Sequence, residues 1–287
     1  VRTSVAGDEE AELMGLEDIA VGVFVPEAGV MRPERLVEFY YSELVRMGVE
    51  FRFNAEVEQL ILEPRKPIGI PYEPLPWQDV RVAGARFRGG GEVRARRKVV
   101  VAAGARTYQL LDPIGVDVHS KPKKRQVFKI KADTEELRRL LHAKGLNPYG
   151  TAPFLVLPKG VYVRPAVEEE SFWVGLSDNL GRPYAWEPDP QPEERFYVYG
   201  VYAILSKYLP QFGNARPYAA WAGFYDISID GQPVIFEEAD MIVAAGTSGS
   251  GIMKADAIGR IVAAIYAGEE YAELYGGEMV RVSDLGL

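Results

Sequence analysis

The sequence contains no cysteine and only two histidines, His119 and His142. Disulfides, thiolate metal sites, cysteine nucleophiles and iron–sulfur clusters held by these residues are therefore excluded. Two imidazoles are too few for a histidine-rich metal centre or a histidine-based triad, so no metal is expected. No apolar run approaches the roughly 20 residues of a membrane-spanning helix, and no secretory leader pattern occurs. Cytoplasmic residence is the expectation, with peripheral attachment to a membrane left open. Positive charge is scarce as well: 33 Lys and Arg stand against 41 Asp and Glu, for a net charge of −8. This argues against nucleic acid as a partner, because phosphate binding rests on clustered Lys and Arg. The basic segment Lys121-Pro-Lys123-Lys124-Arg125 is the exception, and it reads as an exposed loop before a strand. Internal repeats and low-complexity tracts are also missing.

What is present is a globular composition, with 47% apolar residues, enough for one large or two moderate domains. Val21–Val25 reads as a strand. A helix then starts at Arg32-Pro33-Glu34, with Leu36, Val37, Tyr40, Leu44 and Met47 at helical spacing and Gly48 as its stop. Val49–Phe53 and Ala55–Leu62 read as strands. Five prolines, Pro64, Pro67, Pro71, Pro74 and Pro76, mark an irregular excursion, and residues 80–95 a small antiparallel hairpin arrangement. Lys98-Val-Val-Val-Ala-Ala-Gly104 is a continuous apolar run of the kind found in the centre of a buried sheet. The middle of the chain, 117–228, changes to successive antiparallel strands with many aromatics. It also holds helices over 134–144 and 193–209.

The densest signal lies near the C-terminus, in Met241-Ile-Val-Ala-Ala-Gly246-Thr-Ser-Gly249-Ser-Gly251-Ile252-Met253. An apolar strand, a glycine-rich turn and a helix start follow in order. Such a turn aims free backbone N–H groups and the positive helix end at one place, and its small side chains let a ligand come close. By itself the pattern fits either a ligand-binding turn or a structural βα connection.

Four ordered segments carry a resemblance. Gly29-Val-Met-Arg-Pro33-Glu-Arg35-Leu36, Gly48-Val-Glu-Phe leading to Ala55-Glu-Val57, and Val99-Val-Val-Ala-Ala-Gly104-Ala are the first three. The fourth is Trp221-Ala-Gly223 through Asp230-Gly-Gln-Pro233 to Ala245-Gly246-Thr-Ser-Gly249-Ser-Gly251. Together they resemble the FAD-dependent oxidoreductases of the D-amino-acid oxidase superfamily, and most closely glycine oxidase, the sarcosine oxidase β subunit and dye-linked L-proline dehydrogenase. The resemblance implies an α/β, overall α+β, fold, with a Rossmann-like FAD-binding part and an inserted antiparallel β-rich substrate domain. The expected division is 1–30 with the substrate domain, 31–116 and 229–287 for FAD, and 117–228 for substrate. The family's opening G-x-G-x-x-G has no counterpart before Gly29. The expectation is that a portion preceding this sequence carries it; the alternative is a divergent protein without a pyrophosphate site.

The resemblance also implies roles. Val57 would meet the adenine through its backbone. Ala103 and Gly104 would let the chain pass the cofactor. Gly246, Gly249, Ser250, Gly251, Ile252 and Met253 would wrap the isoalloxazine. Arg164 would hold a substrate carboxylate through two parallel bonds, with Tyr162 and Tyr225 lining the pocket. The implied reaction is FAD-dependent oxidation of the C–N bond of a small amino acid of proline, sarcosine or glycine type. An electron acceptor or partner subunit and an oligomeric state are expected with it. The alternatives are a hydroxy-acid or glycerol-phosphate dehydrogenase of the same superfamily and a flavin-free binding or assembly subunit.

Overall fold

A computed structural model describes residues 1–286. In chain order the elements begin with α1 (Glu9–Leu13), α2 (Pro33–Arg46), β1 (Val57–Pro64), β2 (Val80–Phe87), β3 (Glu92–Arg94), β4 (Val99–Val101) and α3 (Thr107–Leu111). The middle holds β5 (Ser120–Lys131), α4 (Glu135–Leu141), β6 (Leu155–Val156), β7 (Tyr162–Ala166), β8 (Ser171–Gly175), α5 (Glu194–Phe196) and α6 (Ala203–Tyr208). The last part holds β9 (Pro217–Ser228), β10 (Val234–Glu238), β11 (Met241–Ala245), α7 (Gly251–Ala267), β12 (Tyr271–Glu273) and β13 (Met279–Arg281). The chain divides into two compact units. Unit 1 comprises residues 1–32, 124–183 and 187–223; unit 2 comprises 33–123, 184–186 and 224–286. The fold is mixed α and β, and its sheets are mostly antiparallel, as the α+β reading requires.

Unit 1 is built on the sheet ordered β6-β7-β8-β5-β9. Alternation along its strands separates two faces. Phe128, Ile130, Val163, Phe172 and Val174 point into the core and are at most 2% exposed. Leu137 and Leu141 of α4 and Leu205 and Tyr208 of α6 join the same core, as do Tyr197 and Val201. A π-helical turn, Tyr197–Tyr202, joins α5 to α6, so the expected single helix over 193–209 is interrupted. Burial pushes the Tyr197 hydroxyl up to about 12, and it donates to the Ala215 carbonyl at 3.0 Å. At the start of the chain, Asp8 caps α1 and also binds Lys207 at 2.8 Å.

The basic segment is a correction. Lys123, Lys124 and Arg125 lie within β5 rather than in a loop, and Lys123 and Arg125 are buried. In unit 1, Lys124 binds Glu193 at 2.8 Å, and Arg182 grips both oxygens of Glu193 at 2.9 and 3.1 Å. Arg182, then Lys124, lower the Glu193 carboxyl from 4.5 to about 2. A lowered carboxyl contributes stability that is complete above 4.5 and is lost as pH falls toward 2. Glu193→Gln should therefore flatten the acid branch of the Tm-versus-pH curve across that window. An acid branch identical to that of the parent protein would show that the cluster contributes nothing.

Unit 2 holds three smaller sheets, β1-β2-β3, β10-β11-β4 and β12-β13. Met241, Val243 and Ala245 of β11 face one core with Leu60, Val82, Val101 and Leu111. Ile242 faces another, with Ile261, Ala264 and Ile265 of α7. β11 is thus apolar on both sides because it is covered on both sides. β4 has a similar sequence but is the end strand of its three, and Val100 is 47% exposed, so it is not the central strand expected. Two other expected strands are absent: Val21–Val25 and Val49–Phe53 adopt no regular structure. Helix α2 forms where expected, yet none of its residues is buried. Its Tyr41 packs edge-on against Phe51 at 4.8 Å.

Candidate functional site

In unit 2, β4 and β11 run parallel, with Val101 opposite Val243. The chain leaves both strands through a glycine in the left-handed region, Gly104 (φ 54°) after β4 and Gly246 (φ 66°) after β11. The C-terminal ends of neighbouring parallel strands are where open α/β sheets bind ligands. Ala103, immediately before Gly104, is exposed. Val57 opens β1 and is half-buried. Its neighbour Glu56 accepts from Arg106 at 2.8 Å, which ties the start of β1 to the turn after β4.

The turn after β11 is held from below. Asp226 is 5% exposed; its Oδ1 accepts from the Thr247 hydroxyl at 2.7 Å, and its carbonyl accepts from Ser248 N–H at 3.0 Å. Ser248 Oγ accepts in turn from Ser228 N–H at 3.1 Å. Gly249 has φ 83°, and a β-carbon there would overlap the ring of Tyr225. Tyr225, Gly246, Gly249, Ser250 and Gly251 are therefore brought together in one place. At the start of α7 no side chain caps the first turn, as is also the case at the shorter α3, α5 and α6, whereas Asp8 and Thr134 cap α1 and α4. Beside it, Ile252 and Met253 are 42% and 78% exposed. An open helix N-terminus beside exposed apolar side chains suits an apolar ring with a polar, electron-rich edge.

Tyr162 and Arg164 belong to unit 1 and lie two residues apart on one face of β7, opposite the buried Val163 and Pro165. The Tyr162 ring crosses β8 at Gly175, where a β-carbon would overlap its phenol, and stacks on Phe154 at 5.8 Å. The Arg164 guanidinium lies 4.3 Å from the centroid of Trp173. Sequence reading gave Trp221 a place in a motif but no role in the site, and gave no role to Trp173, Lys129 or Glu169; all four share that neighbourhood. Lys129 Nζ is 2.6 Å from Glu169 Oε2, and Trp173 Nε1–H donates to the same oxygen at 3.1 Å. Hydrogen bonding with Glu169 raises the Lys129 ammonium above its ordinary range, and Lys129 lowers Glu169, so the pair is ionised. The period-two pattern around Phe172 and Val174 predicts that Trp173 faces away from the core; only strand pairing reveals its neighbours. Among the described residues no group of acidic or histidine side chains could hold a metal, and no helix is long and apolar enough to cross a membrane.

A sequence profile of the FAD dependent oxidoreductase (DAO) family matches residues 2–265. The FAD-dependent oxidoreductase domain-containing protein 1 of Bos taurus is 28% identical over 172 residues, covering 58% of this chain and 34% of its own length. Among solved structures, L-proline dehydrogenase from P. horikoshii superposes with a TM-score of 0.63 at 20% identity. The match covers 83% of this chain and 56% of that one. Amadoriase I, a fructosyl amine:oxygen oxidoreductase from Aspergillus fumigatus, gives 0.60 at 18% identity over 80% and 50%. At these identities the structural likeness establishes the fold. The chain spans about a third of the curated relative and about half of each solved one.

Proposed function

The chain belongs to the DAO family of FAD-dependent oxidoreductases, and from this we propose that it oxidises the C–N bond of a small amino acid of proline, sarcosine or glycine type. The observation that carries the reading is the uncapped, glycine-built start of α7. The residues present there fit the ring end of FAD: Gly249 has no side chain and lets Tyr225 pack directly against the turn, Ile252 and Met253 offer apolar surface, and the helix start offers N–H groups. Bound FAD would supply a two-electron acceptor. The positive start of α7 would help hold the group and would favour its reduced, more negative form. Val57, Ala103, Gly104 and Gly246 would border the same cofactor, and Tyr225 would line the site beside Gly249.

In unit 1, Arg164 takes the substrate carboxylate and Tyr162 flanks it. Orientation and exclusion of water do most of the work, because an amine with an α-hydrogen needs little help from protein acids and bases. The scarcity of histidine is compatible with that. The names of two solved relatives, L-proline dehydrogenase and fructosyl amine oxidoreductase, support a secondary amine as substrate. Turnover of an artificial acceptor dye with L-proline, sarcosine, glycine, 2-hydroxy acids and glycerol phosphate tests the proposal. Reduction with one of the amino acids alone is expected. Reduction with only hydroxy acids or glycerol phosphate would replace C–N by C–O oxidation.

A further inference from the structure

Register across three strands of unit 1 sets Arg164 of β7 opposite Trp173 of β8, and Trp173 opposite Lys129 of β5. The three side chains form one row on the face away from Phe172 and Val174. Both cations lie near the same indole, with Arg164 Cζ 4.3 Å and Lys129 Nζ 5.6 Å from the ring centroid. The ring is fixed in its own plane. Its Nε1–H is held by Glu169 Oε2 at 3.1 Å, and Trp221 packs edge-on against it at 4.8 Å and 83°. Glu169 is fixed too, because Oε2 also takes Lys129 at 2.6 Å and the Ser171 hydroxyl at 3.4 Å.

A flexible arginine loses rotamer freedom when it grips an anion in a defined plane, and a guanidinium already laid on an aromatic face loses less. Glu169 has a second effect. It offsets the charge of Lys129, so the repulsion between the two cations on one ring is reduced and Arg164 can stay in place. We propose that Trp173 is a positioning residue that presets Arg164 for a carboxylate, with Glu169 and Lys129 locking the indole. The inference rests on the reading of Arg164 as the carboxylate's partner. It adds the reason why the site would select the carboxylate over an uncharged group of the same shape.

The test measures binding directly and needs no turnover. Pyrrole-2-carboxylate and pyrrole-2-carboxamide are titrated by calorimetry into the full-length protein and its variants. Trp173→Leu should weaken carboxylate binding up to about tenfold, the cost of ordering one long side chain that is no longer held in place, and leave the carboxamide unchanged. Trp173→Phe, which keeps a ring face, should stay within about threefold of the parent protein. Trp173 lies on the face opposite the core, so these changes leave Phe172 and Val174 in place. If Trp173→Leu fails to fold, Trp173→Gln, which keeps an N–H for Glu169, replaces it with the same expectation. Equal losses for both probes, or no loss for the carboxylate, would overturn the positioning role. Carboxylate binding unaffected by Arg164→Met would instead overturn the reading on which it rests.

Discussion

Gly249→Val is expected to yield a protein that no longer retains flavin and melts at a lower temperature. Gly249 sits at φ 83°, and a β-carbon there would overlap the Tyr225 ring. A side chain in the left-handed region costs roughly 1–2 kcal/mol, more when β-branched, and overpacking adds roughly 1–3 kcal/mol. Together these approach a large part of a domain's stability. Flavin content after gel filtration and the midpoint of thermal unfolding measure the two effects. Gly249→Ala combined with Tyr225→Ala should recover the part due to overlap and not the part due to φ, so a double-mutant cycle separates them. A Gly249→Val protein with full flavin content would show that this turn does not hold the ring.

The second large effect is expected at Arg164. Arg164→Met should raise KM for the amino acid by at least about a hundredfold, because hydrogen bonds to a charged group are worth about 1.5–3 kcal/mol each and a carboxylate takes two. The kcat value should change much less, since the carboxylate is bound alike before and during hydride loss. Arg164→Lys should recover only part of the affinity, because an ammonium offers a point charge and not a planar fork. Steady-state kinetics over a wide substrate range decide the matter. An unchanged KM would remove Arg164 from the site.

The sequence carried those features that depend on local chemistry. Helix α2 begins at its proline, α7 follows the glycine turn, and β8 keeps its alternation, because each is set by residues within a few positions. What a strand meets on its far side is not local. Val99–Val101 reads like Met241–Ala245, but only the second is covered on both faces. Val21–Val25 and Val49–Phe53 have strand-like composition without strand partners among the described residues, and composition does not supply the ladder. The candidate sites divide in the same way. The β11–α7 turn is contiguous and was legible. The Arg164–Trp173–Lys129 row joins residues 9 and 44 positions apart through register, which no linear pattern announces.

On the reading proposed above, this chain holds a flavin which an amino acid reduces. The most direct measurement is the visible absorption spectrum of the protein isolated from its gene, recorded while L-proline, sarcosine and glycine are added in turn without oxygen. A flavin spectrum that one of these amino acids bleaches is expected. A colourless protein that stays colourless after incubation with FAD would contradict it.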